Sequence, residues 1–394
     1  MKPLDSSKKH KLSTSISPLS SIQMVDVKNQ YLNIKEEIDH NIREVIDSCA
    51  FINGPKVKSF QTALEKYLDV THVIPCANGT DALQIALMAL DLQPGSQVMV
   101  PAFTYVATAE VIGLLGLVPV MVDVDPGTFN LTAEIVENAL NDDIKVVVPV
   151  HLFGQAAEME KIMQLSEKHG FYVVEDNAQA IGADYLYSDG KRKKTGTIAH
   201  IGTTSFYPSK NLGAYGDGGA IMTNDHTLAR KIRKIANHGQ EKQYVHDLIG
   251  CNSRLDSIQA AILEVKLKYL DRYCAARQKV ADYYDDKFKN MDAIEIPSRS
   301  RYSTHVFHQY TIKIKDGSRD GLKNYLQDAK IPSMIYYPIP LYKQKAYSGY
   351  APEKMLMENT EILCDEVLSL PIHTEMHQDQ LDYIADTIKS FFEA

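Results

Sequence analysis

The sequence is poor in cysteine, and its cysteines do not lie in a metal-binding pattern. The five that are present are scattered along the chain, at Cys49, Cys76, Cys251, Cys274 and Cys364. An odd number of cysteines without CxxC or Cys/His spacing argues against a disulfide framework and against a zinc site. We therefore expect no metal and a location in the reducing cytoplasm.

Long hydrophobic runs and an excess of positive charge are also missing. No run of about 18 apolar residues occurs, so we predict no membrane-spanning segment. Residues 1–22 include SSKKHKLSTSISPLSS and lack the apolar stretch of a secretory signal, which predicts a mobile tail. The formal net charge of −8 disfavours a nucleic-acid partner, although single basic side chains could still hold a small anion.

The length and composition suit a soluble globular protein of about two domains, with 394 residues, 44% hydrophobic and 23% charged. Between residues 70 and 225, short apolar runs alternate with helical stretches. The predicted strands are 97–100, 118–122, 145–150, 171–175, 203–206 and 219–223, and the predicted helices between them are 80–91, 104–115, 132–140 and 157–169. Because the strands are apolar throughout, we predict an α/β fold with a mostly parallel sheet that is covered on both faces.

The flanking segments predict further helices and a second domain. Apolar residues at every third or fourth position predict an amphipathic helix over residues 30–48. The C-terminal part predicts a long helical run over 254–290, an alternating segment at 304–315, and helices near 318–328, 353–367 and 378–393. The predicted organisation is a tail at 1–22, a large domain at 23–265 that includes the N-terminal helix, and a small C-terminal α/β domain at 266–394.

A single lysine lies in a glycine-rich loop between two of the predicted strands. The segment SFYPSKNLGAYGDGG, residues 205–219, places Lys210 among serine, proline and glycine residues. A lysine amine in a partly dry pocket can form a Schiff base with an aldehyde cofactor. An exposed loop lysine beside turn glycines explains this segment equally well when it is taken alone.

Acidic residues end the predicted strand at 171–175, in the segment FYVVEDNAQAIG. Ligands of parallel α/β sheets bind beyond the carboxyl ends of the strands. A carboxylate at this point can pair with a protonated pyridinium nitrogen, and Asp176 is a better candidate than Glu175. Gln179 could reach a ring hydroxyl. A helix N-cap is the more common role of such an aspartate.

Two segments predict an anion site and an aromatic wall. In CANGTDALQIALMALD, Gly79 and Thr80 stand at the start of a strong helix, where free N–H groups and the helix dipole bind phosphate. Plain helix capping explains this segment without any ligand. In PAFTYVATAE, Tyr105 could lie flat on a conjugated ring, although a core or interface tyrosine is more common.

The segment GCNSRLDSIQAAIL places Asn252 and Arg254 just before a helix. Asn252 could donate to a phosphate, and Arg254 could bind a carboxylate or phosphate through its two-pronged guanidinium. A capped helix start with a solvated arginine is the alternative. The order of all these segments matches the needs of pyridoxal 5'-phosphate (PLP): an anion site, a ring clamp, a nitrogen partner and a covalent anchor. A Rossmann dinucleotide site fits less well, because GAYGDGG precedes a strand and not a helix.

From about residue 23 onward, the sequence resembles the DegT/StrS-type sugar aminotransferases. The resemblance rests on NGTDAL, PAFTYVATAE, EDNAQAIGA, SFYPSKNLGAYGDGG and GCNSRLDSIQAAIL. It implies the PLP-dependent transferase fold type I, as in aspartate aminotransferase, and PLP as the cofactor. It also implies site residues, with Lys210 bound covalently to PLP, Asp176 on the ring nitrogen, Tyr105 on the ring face, Gln179 at the ring hydroxyl, and Gly79, Thr80 and Ser205 on the phosphate. Asn252 would reach the phosphate of a neighbouring subunit, which implies a homodimer with shared active sites.

Within that family, the sequence resembles the UDP-2-acetamido-2-deoxy-3-oxo-glucuronate aminotransferases in the segments CANGTDALQIA, FTYVATAE, YPSKNLGAYGDGGAI, NSRLDSIQAAIL and YPIPLYKQ. The resemblance therefore implies a UDP-linked 3-keto sugar acid as substrate, L-glutamate as amino donor, and a role in surface polysaccharide or lipopolysaccharide biosynthesis. Arg254 is the candidate for binding the sugar carboxylate. Where those enzymes have His-Tyr before Pro-Ile-Pro, this chain has Tyr336 and Tyr337, which we assign to substrate binding.

Other functions on the same fold remain open as alternatives. The enzyme could act on another UDP- or dTDP-linked keto hexose. Sugar dehydratases of this fold carry histidine in place of Lys210, so the lysine disfavours that chemistry. A non-catalytic sugar-nucleotide sensor is disfavoured because the lysine, aspartate and serine are all present and no DNA-binding segment is appended.

Overall fold

The computed structural model describes residues 21–350 and 357–393. The predicted tail therefore lies almost wholly outside the described residues. The helices are α1 (Val27–Asn33), α2 (Lys35–Ser48), α3 (Pro55–Leu68), α4 (Gly79–Met88), α5 (Ala107–Leu114), α6 (Ala133–Ala139), α7 (Met159–His169), α8 (His226–Ala236), α9 (Ser257–Leu267), α10 (Leu270–Phe288), α11 (Arg319–Asp328), α12 (Glu358–Glu366) and α13 (Gln378–Glu393).

The strands form one large sheet, a three-stranded sheet and two hairpins. Their bounds are β1 (His72–Cys76), β2 (Gln97–Pro101), β3 (Val118–Val122), β4 (Ile144–Val147), β5 (Tyr172–Asp176), β6 (Asp184–Leu186), β7 (Arg192–Lys194), β8 (Ile201–Ser205), β9 (Gly219–Thr223), β10 (Gln240–Lys242), β11 (Val245–His246), β12 (Ile294–Glu295), β13 (Tyr310–Ile314) and β14 (Val367–Leu370). Short 3-10 helices lie at Leu152–Gly154, Leu341–Lys343 and Lys345–Tyr350.

The large sheet is mostly parallel, as predicted. Its seven strands have the order β1-β9-β8-β5-β4-β2-β3. Neighbours from β8 to β3 pair in parallel, whereas β9 is antiparallel to both β8 and β1. The link from β8 to β9 contains no crossover helix, and without one a strand can return beside its predecessor only in the antiparallel direction.

Alternating side chains of the parallel strands enter two different cores. Val98 and Val146 belong to a core with α4, α5 and α8, whereas Met99 and Val147 belong to a core with α6 and α7. Both faces of the sheet are therefore buried, which explains why its parallel strands β2, β3 and β4 are mostly apolar.

The structure differs from the predicted elements at several points. The helix predicted at 30–48 is broken at Ile34, whose backbone leaves the helical region at φ −127° and ψ 19°. The run at 254–290 is two helices, which meet at Lys268 and Tyr269. Strand β1 was not predicted, because it is short and contains Pro75. Its place at one end of the sheet order suits a strand with a proline.

The C-terminal part contains the three-stranded antiparallel sheet β12-β13-β14. The first residues of the helix predicted at 353–367 lie outside the described residues. The described helix begins at Glu358 and ends at Glu366, because Val367 is extended, with ψ 140°, and pairs with β13. The alternating segment at 304–315 is a strand only over Tyr310–Ile314, and residues 304–309 form a loop. The domain boundary near residue 265 stays a prediction. Among the described helices, none is long and apolar enough to cross a membrane.

Candidate active site

Two neighbouring parallel strands end at the centre of the large sheet with polar residues. Strand β5 ends at Asp176 and β8 ends at Ser205, and Asp176 pairs with Thr203 in the register of the two strands. Because parallel strands bring their carboxyl ends to one edge, Asp176 and Ser205 open onto the same crevice.

The Asp176 carboxylate is buried, with 5% of the residue exposed. The Thr108 hydroxyl donates to its Oδ2 at 2.8 Å, and the Ala178 N–H donates to its Oδ1 at 3.1 Å. Residues 178–182 form turns, so Asp176 does not cap a helix. The alternative role as a helix N-cap is therefore wrong, and the carboxylate remains a candidate partner for a ligand.

The neighbouring Glu175 points to the opposite side of the strand, and its carboxylate is already hydrogen-bonded to donors of the protein. Its carboxylate accepts hydrogen bonds from the backbone N–H groups of residues 196, 198 and 199, at 2.6 to 2.7 Å. It also accepts one from His151 Nε2 at 2.9 Å. These contacts make Glu175 a structural residue, and they support the choice of Asp176 as the ligand-binding carboxylate.

Lys210 lies in the loop between β8 and β9 and is half-buried. Its Nζ is 3.5 Å from Nε2 of His308. Burial lowers the pKa of Lys210 to about 8, and the nearby Asp176 carboxylate opposes this shift. The lysine is therefore not the exposed loop residue of the alternative interpretation, and its amine is deprotonated more readily than that of an ordinary lysine.

His308 was not predicted as a site residue. It is buried, and burial together with the charges of Lys210 and Arg277 keeps its pKa well below the ordinary value. A neutral imidazole therefore faces the Lys210 amine. The only sequence signal was its place in the segment HVFHQYTIKI, which was interpreted as a strand.

The N terminus of α4 lies directly against Ser205. The side chain of Asn78 accepts from the Asp81 N–H, which leaves the N–H groups of Gly79 and Thr80 at the helix start without a helical acceptor. A Cβ atom added to Gly79 would be only 2.7 Å from the Cβ of Ser205. The structure thus brings Gly79, Thr80 and Ser205 together, in a cradle that only glycine leaves open to an anion.

Aromatic side chains form one wall of the crevice. Tyr105 is 58% exposed, and its ring lies 6.3 Å from that of Tyr337. Gln179 Nε2 donates to the Tyr337 hydroxyl at 3.2 Å, and Gln179 Oε1 accepts from the Phe153 N–H at 2.8 Å. The ring of Tyr336 lies 5.9 Å from that of Tyr337. The predicted residues Tyr105, Gln179, Tyr336 and Tyr337 therefore belong to one group.

Asn252 and Arg254 differ from the other predicted residues in their surroundings. Ser253 Oγ, between them, accepts from the Ala77 N–H at 3.1 Å and fixes this segment beside the start of α4. Asn252 itself is exposed, and Arg254 forms no ion pair with any of the described residues. Among the described residues, no hydrogen bond or ion pair joins either side chain to Lys210, and the roles of Asn252 and Arg254 stay predictions.

The donor set fits PLP. A buried carboxylate is available for a protonated ring nitrogen, a half-buried amine for an aldehyde, and a helix N terminus for a phosphate dianion. The exposed face of Tyr105 is available for stacking on a ring.

Comparisons with known proteins agree with this geometry. Residues 32–389 match the DegT/DnrJ/EryC1/StrS aminotransferase family. The UDP-2-acetamido-2-deoxy-3-oxo-D-glucuronate aminotransferase of Pseudomonas aeruginosa is 44% identical over 352 residues, which are 89% of this chain and 95% of that protein. A pleiotropic regulatory protein of Geobacillus stearothermophilus is 41% identical over 374 residues, which are 94% of this chain and 99% of that protein.

A solved structure has the same fold. The crystal structure of NtdA from Bacillus subtilis with bound cofactor PMP superposes with a TM-score of 0.86 at 30% identity, over 95% of this chain and 86% of that one. The predicted fold type I, with its mostly parallel sheet, is thereby confirmed.

Proposed function

The chain belongs to the DegT/DnrJ/EryC1/StrS aminotransferase family, and from this premise we propose that it aminates a UDP-linked 3-keto sugar acid with L-glutamate as donor. It is a PLP-dependent aminotransferase of fold type I, and its relatives support the transamination of sugars. The substrate, the donor and the role of each residue are our proposal.

The observation that carries the proposal is that a half-buried Lys210 amine lies near the buried Asp176 carboxylate in one crevice. Burial lowers the pKa of Lys210 to about 8, and the Asp176 carboxylate opposes this shift. When bound, PLP supplies an aldehyde that takes up an amino group and a conjugated ring that accepts electrons. Lys210 would hold the aldehyde covalently, and its amine would then move a proton at the substrate carbon, because its pKa lies near working pH.

The other predicted residues would bind and orient the cofactor. Asp176 would keep the ring nitrogen protonated, and Tyr105 would cover one face of the ring. Gln179, whose amide is fixed by Phe153 and Tyr337, would direct its remaining N–H to the ring hydroxyl. The phosphate would be bound by Gly79, Thr80 and Ser205, and Gly79 lies so close to Ser205 that no side chain fits between them.

The choice of a sugar acid rests on the relative from Pseudomonas aeruginosa, which is named for a 3-oxo-D-glucuronate substrate. Tyr336 and Tyr337 border the crevice and offer hydroxyl groups to a sugar. Arg254 would bind the sugar carboxylate through a two-pronged contact. Because Asn252 is exposed and neither it nor Arg254 bonds to Lys210 among the described residues of its own chain, we propose that both serve the site of a second copy.

The surface near Asn252 supports a homodimer. Tyr244 is 82% exposed and Ile249 is 90% exposed, in and beside the hairpin β10–β11 that precedes Asn252. Large apolar side chains clustered on a surface are typical of protein interfaces. A second copy that covers this hairpin would bring Asn252 close to a partner and complete two active sites together.

A regulatory role is the second candidate function, because one relative is named a pleiotropic regulatory protein. Lys210, Asp176 and Ser205 are all present and assembled in this chain, which favours catalysis. A sugar dehydratase is disfavoured by the amine at position 210.

The proposal is tested by purified enzyme and a panel of nucleotide sugars. We expect a visible absorption band from PLP bound to the lysine. Borohydride should abolish this band by reducing the Schiff base, and glutamate alone should also bleach it. In the reverse direction, with 2-oxoglutarate, UDP-linked 3-amino uronic acid should be consumed faster than dTDP-linked 3-amino hexoses. Lys210→Ala should lose the band and all turnover, whereas Lys193→Ala, an exposed lysine, should retain both. Turnover by Lys210→Ala near the wild-type rate would show that the site is wrong, and preference for a dTDP sugar would change only the substrate.

A further inference from the structure

The carboxylate of Asp176 is oriented by a side chain to which no role has yet been assigned. Thr108 Oγ1 donates to Asp176 Oδ2 at 2.8 Å, and both residues are buried, with 1% and 5% exposed. The other carboxylate oxygen, Oδ1, accepts from the backbone of Ala178. Each oxygen thus has one donor from the protein and keeps lone-pair capacity for a ligand.

The position of Thr108 in the fold explains why this contact forms. Thr108 lies in the first turn of α5, the helix that begins two residues after Tyr105. Threonine in a helix often bonds back to the carbonyl one turn earlier, but this hydroxyl crosses to the end of β5. The same short segment therefore carries the aromatic residue proposed for the ring face and the donor to the carboxylate proposed for the ring nitrogen.

We propose that Thr108 is a positioning residue for PLP, and that its hydroxyl holds the Asp176 carboxylate in the orientation that binds the protonated ring nitrogen. This inference rests on the proposed function of Asp176. The hydrogen bond to Oδ2 fixes the rotation of the carboxylate about its last side-chain bond. Without the hydroxyl, Oδ2 stays buried with one donor fewer.

The test compares variants that separate the hydroxyl from the shape of the side chain. Thr108→Val keeps the volume and removes the donor, whereas Thr108→Ser keeps the donor. Thr195→Val is the matched control, because Thr195 is equally buried and donates at 2.9 Å to the Ala180 carbonyl and not to a carboxylate. Asp176→Asn tests the underlying role of the aspartate.

Two quantities are measured on protein stripped of cofactor and titrated with PLP: the dissociation constant, and the pH dependence of the visible absorption band. Because Thr108→Val leaves the carboxylate that binds the ring nitrogen without its side-chain donor, it should weaken PLP binding roughly tenfold, which corresponds to about 1.4 kcal/mol. It should also shift the pH midpoint of the band. Thr108→Ser keeps the donor and Thr195→Val does not touch the carboxylate. Both variants should therefore bind PLP within about threefold of wild type, a difference of about 0.6 kcal/mol.

The outcomes distinguish this inference from the proposed function. If Thr108→Val binds PLP like wild type while Asp176→Asn binds it weakly, the role of Thr108 is overturned and the proposed site remains. If Asp176→Asn also binds like wild type, the assignment of Asp176 itself is wrong. Equal losses in Thr108→Ser and Thr108→Val would attribute the effect to packing and overturn the role of the hydroxyl.

If Thr108→Val fails to fold, Thr108→Cys takes its place in the test. A thiol is a much weaker donor than a hydroxyl and has a similar size. The comparison of Thr108→Cys with Thr108→Ser is judged by the same two measurements, and a cysteine variant with wild-type affinity and pH midpoint would overturn the inference.

Discussion

His151 donates a hydrogen bond from Nε2 to the Glu175 carboxylate at 2.9 Å, and neither side chain is exposed to solvent. The other ring nitrogen, Nδ1, accepts from the Ala157 N–H at 3.2 Å. An imidazole whose Nδ1 accepts a hydrogen bond carries its proton on Nε2 and is neutral. Glu175 is therefore a buried anion that is held by four N–H donors, one strand position before Asp176.

Replacement of Glu175 should destabilise the fold and move the active site indirectly. Glu175→Ala leaves four buried N–H groups without an acceptor, and we expect the free energy of unfolding to fall by about 3–5 kcal/mol. Thermal or urea unfolding of the cofactor-free protein measures this loss. Glu137→Ala, which removes an exposed ion pair with Lys168, should change stability by about 0–1 kcal/mol. Equal stability of the two variants would contradict the structural role of Glu175.

The buried amine of Lys210 should make the free energy of unfolding depend on pH, and a variant without the amine should lose this dependence. Its pKa is about 8 in the folded protein, below the ordinary 10.5, because burial disfavours the charged form. The unfolded chain therefore binds more protons between pH 8 and 10.5, and the folded state gains stability as pH rises through that window. In Lys210→Met this contribution is absent.

The measurement is the difference in unfolding free energy between cofactor-free Lys210→Met and wild type at several pH values. We expect the variant to be favoured most near pH 7 and to lose this advantage toward pH 10. Lys193→Met, an exposed lysine, serves as the control and should show a flat difference. A flat difference for Lys210→Met as well would show that the amine is not buried in the cofactor-free protein.

Sequence patterns predicted the parallel sheet because several of its buried strands carry apolar runs, and Asp176 was a candidate because it follows one of these runs. Ser205 was implied only by the resemblance to the family. The residues that the patterns did not reveal are joined to the site by contacts between distant segments. Thr108 lies 68 positions from Asp176, and His308 lies 98 positions from Lys210, so neither spacing along the chain nor local composition could reveal these pairs.

His308 is expected to affect the proton-transfer step through its contact with the Lys210 amine. His308→Leu removes the neutral imidazole that lies 3.5 Å from Nζ, so the freed amine loses its neighbour and its orientation. We expect kcat to fall roughly tenfold to a hundredfold, since small misplacements of a reacting group cost up to that factor. The KM for the sugar nucleotide should change little.

The control for this prediction is His373→Leu, a buried histidine near Arg277 that makes no contact with Lys210. It should lower stability without a selective effect on kcat. Steady-state kinetics with glutamate and the preferred sugar nucleotide measure both constants. If His308→Leu raised KM and left kcat unchanged, His308 would belong to substrate binding and not to the support of Lys210.

The contact between Gly79 and Ser205 predicts a selective loss of phosphate binding. In Gly79→Ala, the added methyl group would lie 2.7 Å from the Cβ of Ser205, so the start of α4 must move away from the end of β8. The helix N–H groups would then no longer converge with the Ser205 hydroxyl on one anion. We expect the affinity for PLP to fall about tenfold or more, whereas pyridoxal, which has no phosphate, should bind as weakly as it does to wild type. Gly349→Ala, where an added methyl group meets no atom of the described residues within 4 Å, should leave both affinities unchanged. Equal losses for PLP and pyridoxal in Gly79→Ala would mean that the helix start shapes the ring site, and the phosphate would have to be bound elsewhere.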